Sequence, residues 1–68
     1  MNDPEAQGDR EAYFKYMRAG NADGCVSIEK KYDLYGYPPE LVSVGLLAAV
    51  QGINPLFAID EYMDEGES

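Results

Sequence analysis

From Leu41 to Val50 the chain is apolar at almost every position, inside a stretch, PPELVSVGLLAAVQG, that two prolines open and Gly52 closes. Proline suits the first helical turn, where its missing N–H would be unpaired anyway. Glycine suits the left-handed residue just past a helix. On a helical wheel Leu41, Val44, Gly45 and Ala48 share one face, and Val42, Leu46, Ala49, Val50 and Ile53 share another. A helix that is apolar all round is buried on more than one side. The pattern therefore predicts a central helix over residues 39–51, packed by the rest of the chain.

The flanking segments are amphipathic. Asp3-Pro4 reads as an N-cap followed by proline at the first helical position, with Glu5 favourably placed in the first turn. Gly8 weakens that turn; beyond it Ala6, Arg10, Tyr13 and Met17 line one side, widened by Phe14 and Tyr16, until Gly20-Asn21 ends a helix over 4–19. This stripe is expected to pack on the core, the alternative being an arm that docks on a partner or a second subunit. Asp23 can cap a helix over 24–34 on which Cys25, Ile28 and Tyr32 recur at helical spacing, with Gly36 as its stop. After the central helix the same grammar returns. Gly52 closes one helix, Asn54 caps the next, and Pro55 starts a helix over 55–64. Its stripe is Leu56, Ile59 and Met63, with Phe57, Ala58 and Tyr62 beside it, and Glu65-Gly66-Glu67-Ser68 reads as a frayed acidic tail. No segment alternates as a strand does. The fold class expected is all-α, a compact bundle of four short helices forming one domain over residues 1–68.

Composition adds limits. Hydrophobic residues make up 46% of the 68 positions, enough to fold. A core of this size supplies only about 3–5 kcal/mol net, so a partner or a second copy would add useful stability. The N-terminal helix and the two-faced central helix together offer more apolar surface than two short neighbours cover, which predicts a homodimer. Cys25 is the single cysteine, as expected of a reducing, cytoplasmic setting. No basic segment followed by an apolar one marks a secretory signal, and the apolar run is shorter than the roughly 17–25 residues of a membrane span.

The net charge of −8 is unevenly placed. From Tyr32 onward there are seven acidic residues (Asp33, Glu40, Asp60, Glu61, Asp64, Glu65, Glu67) and no basic one. Lys and Arg are what displace counterions from phosphates, so this half is expected to bind neither nucleic acid directly nor an anionic membrane. Its partner would be basic or apolar. A helix-turn-helix reading of 25–34 and 38–51 fails on the same charge and on its apolar recognition helix.

Catalytic and metal constellations are missing. The chain has no histidine, and Ser27, Ser43 and Ser68 have no candidate base. Cys25 near a helix N-terminus could have a lowered pKa, but no histidine is available to activate it, and one cysteine in a small apolar stripe reads as core. AGNADG at 19–24 superficially resembles a calcium loop, yet with Gly24 at the sixth position the twelfth would be Lys30, where a bidentate Glu is required. The expectation is a protein that is not an enzyme and holds no cofactor or metal.

Tyr35-Gly36-Tyr37 is followed by Pro38-Pro39-Glu40 and by a helix carrying Val42, Gly45, Leu46 and Ala48; Asn54, Ala58, Ile59 and the pair Tyr62-Met63 come after. In that order residues 28–63 resemble a ubiquitin-associated (UBA-like) three-helix domain: an apolar helix, a Met-Gly-aromatic loop, Pro-x-Glu, an Ala/Leu-rich helix, and an Asn-started helix ending in large apolar residues. Tyr35 stands where those domains usually have methionine, the closing pair is not Leu-Leu, and the N-terminal helix lies outside the match. The resemblance implies a protein-binding module using the loop and the end of the last helix.

The residues alone point the same way. Tyrosine offers apolar area at low entropic cost with a hydroxyl that tolerates water, hence its frequency at interfaces. Tyr35 and Tyr37 cannot both turn inward from so tight a turn. The expected function is a small protein–protein interaction module binding through Tyr35, Gly36, Tyr37, Tyr62 and Met63. The alternative is a small acidic inhibitor that covers the basic site of a nucleic-acid-binding protein with Asp60, Glu61, Asp64 and Glu65 in place of phosphates.

Overall fold

The computed structural model describes residues 3–67, which form four helices: α1 (Pro4–Ala19), α2 (Ala22–Lys31), α3 (Pro39–Val50) and α4 (Pro55–Glu67). Of the expected frayed tail, Ser68 lies outside the described residues, and the preceding positions continue α4. Glutamate is a good helix former, and no proline interrupts the run.

Start signals work largely as the sequence suggests. Asp3 Oδ1 accepts from the Glu5 N–H at 3.0 Å and the Ala6 N–H at 3.3 Å, so α1 begins at Pro4 in spite of Gly8. Asn54 Oδ1 accepts from the Leu56 N–H at 2.9 Å and starts α4. The exception is α2. Its cap is Asn21, whose Oδ1 accepts from the Gly24 N–H at 3.0 Å, and not Asp23. Both residue types cap well. Asn21 wins because Gly20, left-handed at φ 73°, turns the chain immediately before it, leaving Asp23 as a favourable acid in the first turn.

The ends of α1, α2 and α3 share one hydrogen-bond pattern, in which a left-handed residue lets the next N–H reach back five residues. Asn21 donates to the Tyr16 carbonyl at 2.8 Å, Leu34 to Glu29, and Ile53 to Ala48 at 2.9 Å. Gly20 and Gly52 supply the left-handed residue in the first and third cases. In the second it is Asp33, at φ 59°, a conformation that Asp tolerates better than most residues. The helix expected to run to residue 34 therefore stops at Lys31, and Gly36 serves the following turn instead. The early stop swings Leu34 inward, where it is fully buried.

The helix α3 lies between α1 and α4, and α2 packs on α1. Five of its residues are buried, Val42, Gly45, Leu46, Ala48 and Val50, which is the central position its apolar pattern predicts. The core consists of Tyr13, Ile28, Leu34, Val42, Leu46 and Ile59, contributed by all four helices and the turn after α2. Gly45 permits a close approach: a Cβ there would lie 2.9 Å from Leu34 Cδ2 and 3.4 Å from Ile59 Cδ1. Gly24 does the same at the α1–α2 corner, where a Cβ would meet the Tyr16 ring at 2.6 Å.

Not every residue of the predicted stripes is core. Met17 on α1, and Leu56 and Met63 on α4, are exposed, and of the α4 stripe only Ile59 is buried. The molecule measures 35 × 26 × 17 Å, so its thinnest dimension is less than two helix diameters. A slab that thin covers one side of an edge helix. No helix of the described residues is long and apolar enough to cross a membrane.

Candidate functional site

An open apolar groove of about 290 Å³ runs between α3 and α4. Val44, next to Gly45 on α3, forms one wall. Phe57, Ala58 and Tyr62 form the other, and Ile53, in the lead-in to α4, lines the groove with them. Their spacing along α4 puts them on one side of that helix. Phe57 is 58% exposed, Ile53 45% and Tyr62 43%, so the groove is wet apolar surface.

The edge of this groove is acidic. Glu61 and Glu65, one helical turn apart, line it from α4. Together with Asp64 they also line a smaller dent of about 180 Å³. Asp60, the remaining member of the expected acidic face, is exposed but lines neither depression. Across the groove Tyr62 donates its hydroxyl to Glu40 Oε1 at 3.0 Å, fastening α4 to the first turn of α3. That hydrogen bond pushes the Tyr62 phenol pKa up, with the nearby Glu40 charge acting in the same sense.

The turn residues divide. Tyr37 is half-buried and packs against the core, its N–H donating to the Leu34 carbonyl at 3.3 Å. Tyr35 is 62% exposed, with the Lys30 ammonium 5.3 Å from its ring centre, a cation–π distance. Gly36, left-handed at φ 98°, separates them. Met63 is exposed but does not line the groove; with Leu56, seven residues earlier, it occupies another flank of α4. Val44, Ile53 and Phe57 were not singled out as site residues by the sequence reading. For Phe57, the one of the three on α4, the available signal is the breadth of apolar positions on that helix, wider than a single neighbouring helix can cover.

A second cavity, of about 320 Å³, lies at the α1–α2 corner and is lined by Tyr16, Met17, Cys25 and Val26 among others. Two of its polar groups, the Tyr13 hydroxyl and the Cys25 thiol, already have partners within the chain. Tyr13 donates to Glu29 Oε2 at 2.8 Å, and the Cys25 thiol lies 3.8 Å from the Tyr13 carbonyl oxygen. Burial, and then the Glu29 charge, push the Cys25 pKa up, the opposite of the lowering that its place in the first turns of α2 suggests. The cavity therefore offers no activated thiolate. Among the described residues no group of three or more His, Cys, Asp or Glu side chains is placed to hold a metal ion.

Next to that corner a polar cluster locks α1 to α2. Lys31 Nζ is 2.7 Å from Asp9 Oδ2 and 3.0 Å from Glu5 Oε2, and the Tyr32 hydroxyl donates to Asp9 Oδ2 at 2.6 Å. Burial alone would raise the Asp9 pKa, but the hydrogen bonds from Lys31 and Tyr32 outweigh it and hold the carboxyl below its usual value. The Tyr32 phenol, desolvated and bonded to Asp9, is pushed up to about 12. Tyr13 is raised as well, by burial first and by Glu29 second. Both phenols are held protonated in the fold, so their contribution to stability is complete below the unfolded value of about 10 and is lost as pH rises through the folded values. Urea melts at pH 8, 10 and 11.5 should show stability falling mainly above pH about 10, with the raised Cys25 thiol starting the loss near pH about 9. A Tyr13→Phe/Tyr32→Phe variant should lose part of that slope, with Lys31, Tyr62 and Cys25, all raised as well, keeping the rest; a slope unchanged in the variant would assign the loss to those groups. The depressed Asp9 works in the other direction, contributing above pH about 4 and failing as pH falls through its folded value.

No family model, no curated protein and no solved structure matches the chain.

Proposed function

We propose that this protein is a small, non-enzymatic interaction module that binds a partner protein through the outer side of α4, the groove it shares with α3, and the exposed Tyr35–Gly36 corner. One observation carries this. Among the described residues the exposed large apolar side chains are concentrated on α4 and its lead-in, where Ile53, Leu56, Phe57, Tyr62 and Met63 are each at least 38% exposed. Exposed apolar residues scattered singly need no explanation, whereas a concentration rimmed by polar groups marks a binding surface.

The test compares two variants against any captured partner. Phe57→Ser with Tyr62→Ala should weaken binding at least tenfold, about 1.4 kcal/mol, with helical content unchanged. Phe57 is mostly in water and Tyr62 is 43% exposed, so the core stays intact; the lost Tyr62 bond to Glu40 is solvent-facing, and a thermal melt of the variant checks that α4 stays docked. Charge reversal at Asp60, Glu61, Asp64 and Glu65 should cost less and act mainly on the association rate. The reverse ranking would favour the second reading, an acidic inhibitor of a nucleic-acid-binding protein. That reading draws on the dent where Glu61, Asp64 and Glu65 converge.

Two narrower versions of the module have their own checks. If the UBA-like resemblance holds, ubiquitin should shift the amide signals of Tyr35, Gly36, Tyr62 and Met63, and an unchanged spectrum removes it. If a second copy is the partner, sedimentation at high micromolar concentration should show a dimer. Within the chain α1 already uses Tyr13 against the core and leaves Met17 as its exposed large apolar residue.

A further inference from the structure

The groove between α3 and α4 has a shape and a charge that together specify its occupant more closely than "a protein". We infer that it receives a basic amphipathic helix of a partner protein, apolar face inward and Lys or Arg along one flank. The inference rests on reading α4 as the binding element.

Shape comes first. The lining residues of α4 run from Phe57 to Glu65, which at 1.5 Å per residue is about 12 Å, or roughly two helical turns. A furrow between two packed helices accepts the ridge of a third, and such ligands anchor through side chains at i, i+3 or i+4, and i+7. A ligand added as a β-strand would instead need an unpaired strand edge, and the described residues contain no strand.

Charge narrows the choice. The apolar lining of Val44, Ile53 and Phe57 is bordered by Glu61 and Glu65. No lysine or arginine follows Lys31 in the chain, so the part of the molecule that builds the groove brings no cation of its own. A ligand flank carrying Lys or Arg complements this rim, whereas an acidic helix would place like charges together at a cost. A second copy docking by the same face would bring its own Glu61 and Glu65 against this rim, so self-association there is opposed. Nucleic acid and anionic lipid are opposed by the same field. An occupant that used charge alone would leave the Phe57 ring and Ile53 wet.

The probe is a synthetic helical peptide of about four turns, with leucines at i, i+3, i+4 and i+7 and lysines flanking them, titrated into isotope-labelled protein. Two controls accompany it: the same peptide with glutamate for lysine, and a scrambled peptide of identical composition. The lysine peptide should shift the amide signals of Val44, Ile53, Phe57 and Ala58 with a micromolar Kd. Phe57→Ser should weaken it at least tenfold and Glu61→Lys/Glu65→Lys severalfold, with a Kd that rises with salt. Equal binding by the glutamate peptide would overturn the basic partner while leaving the interaction module standing. Equal binding by the scrambled peptide, indifferent to Phe57→Ser, would overturn it in favour of the acidic inhibitor. Groove signals that move on dilution of the protein alone would make a second copy the occupant. Silence of this face toward every peptide at millimolar concentration would overturn the inference and remove the groove from the module's binding surface as well.

Discussion

Tyr13→Ala is expected to lower the unfolding free energy by about 3–5 kcal/mol, the range for removing a buried aromatic side chain. Tyr13 heads the largest fully buried side chains of the chain and is 1% exposed. It joins α1 to the rest of the core, meets the Phe14 ring edge-on at a centroid distance of 6.2 Å, and donates its hydroxyl to Glu29 on α2. Truncation would leave a large cavity and also deprive a half-buried carboxylate of its partner. Set against a net stability of about 3–5 kcal/mol for a domain this small, the variant should be largely unfolded at 25 °C. Urea melts followed by circular dichroism check this, with Tyr13→Phe as the companion. The phenylalanine variant keeps the ring and should lose only about 1–3 kcal/mol, mostly for the unsatisfied Glu29. A Tyr13→Ala midpoint close to wild type would mean that α1 does not close the core.

Leu46→Ala is expected to cost about 2–5 kcal/mol. Leu46 is fully buried on α3, the helix that α1 and α4 both pack against. It belongs to the same buried cluster as Leu34 and Ile59. Loss of the cooperative transition, or a midpoint shift equal to most of the stability, is the predicted melt. A transition little changed would show Leu46 to be dispensable and α3 not to be the centre. Tyr13 and Leu46 belong to one cluster, so their effects should not add.

How much of this was legible in the sequence depends on the kind of signal. Where one residue type can do a job and its neighbours agree, the reading transfers. Asp3-Pro4, Asn54-Pro55, Gly20 and Gly52 set helix ends by local stereochemistry, and those ends stand where the sequence places them to within a residue. Where two residues compete for a job, it does not. Asn21 and Asp23 are both good caps, and Asp33 and Gly36 can both be left-handed. In each pair the earlier residue serves, and α2 is displaced at both ends as a result.

The candidate site follows the same division. The sequence marks Tyr62 and the 35–37 turn because tyrosines beside a glycine are conspicuous, and it marks the acidic run because charge is additive along a chain. Which tyrosine turns inward is a matter of packing: Tyr37 goes to the core because the stop at Asp33 has already sent Leu34 there, and Tyr35 is left outside. The groove itself is invisible in one dimension. Val44 and Phe57 are thirteen positions apart and line one groove only because α4 packs against α3. By itself, then, the sequence determined that the chain is all-helical, where most helices begin and end, that α3 is central, and that the second half is acidic. Those properties depend on residues close in the chain or on their sum. The tertiary structure decided which apolar residues are core and which are surface, because that depends on how many neighbours a helix has. An edge helix such as α4 has too few to cover it.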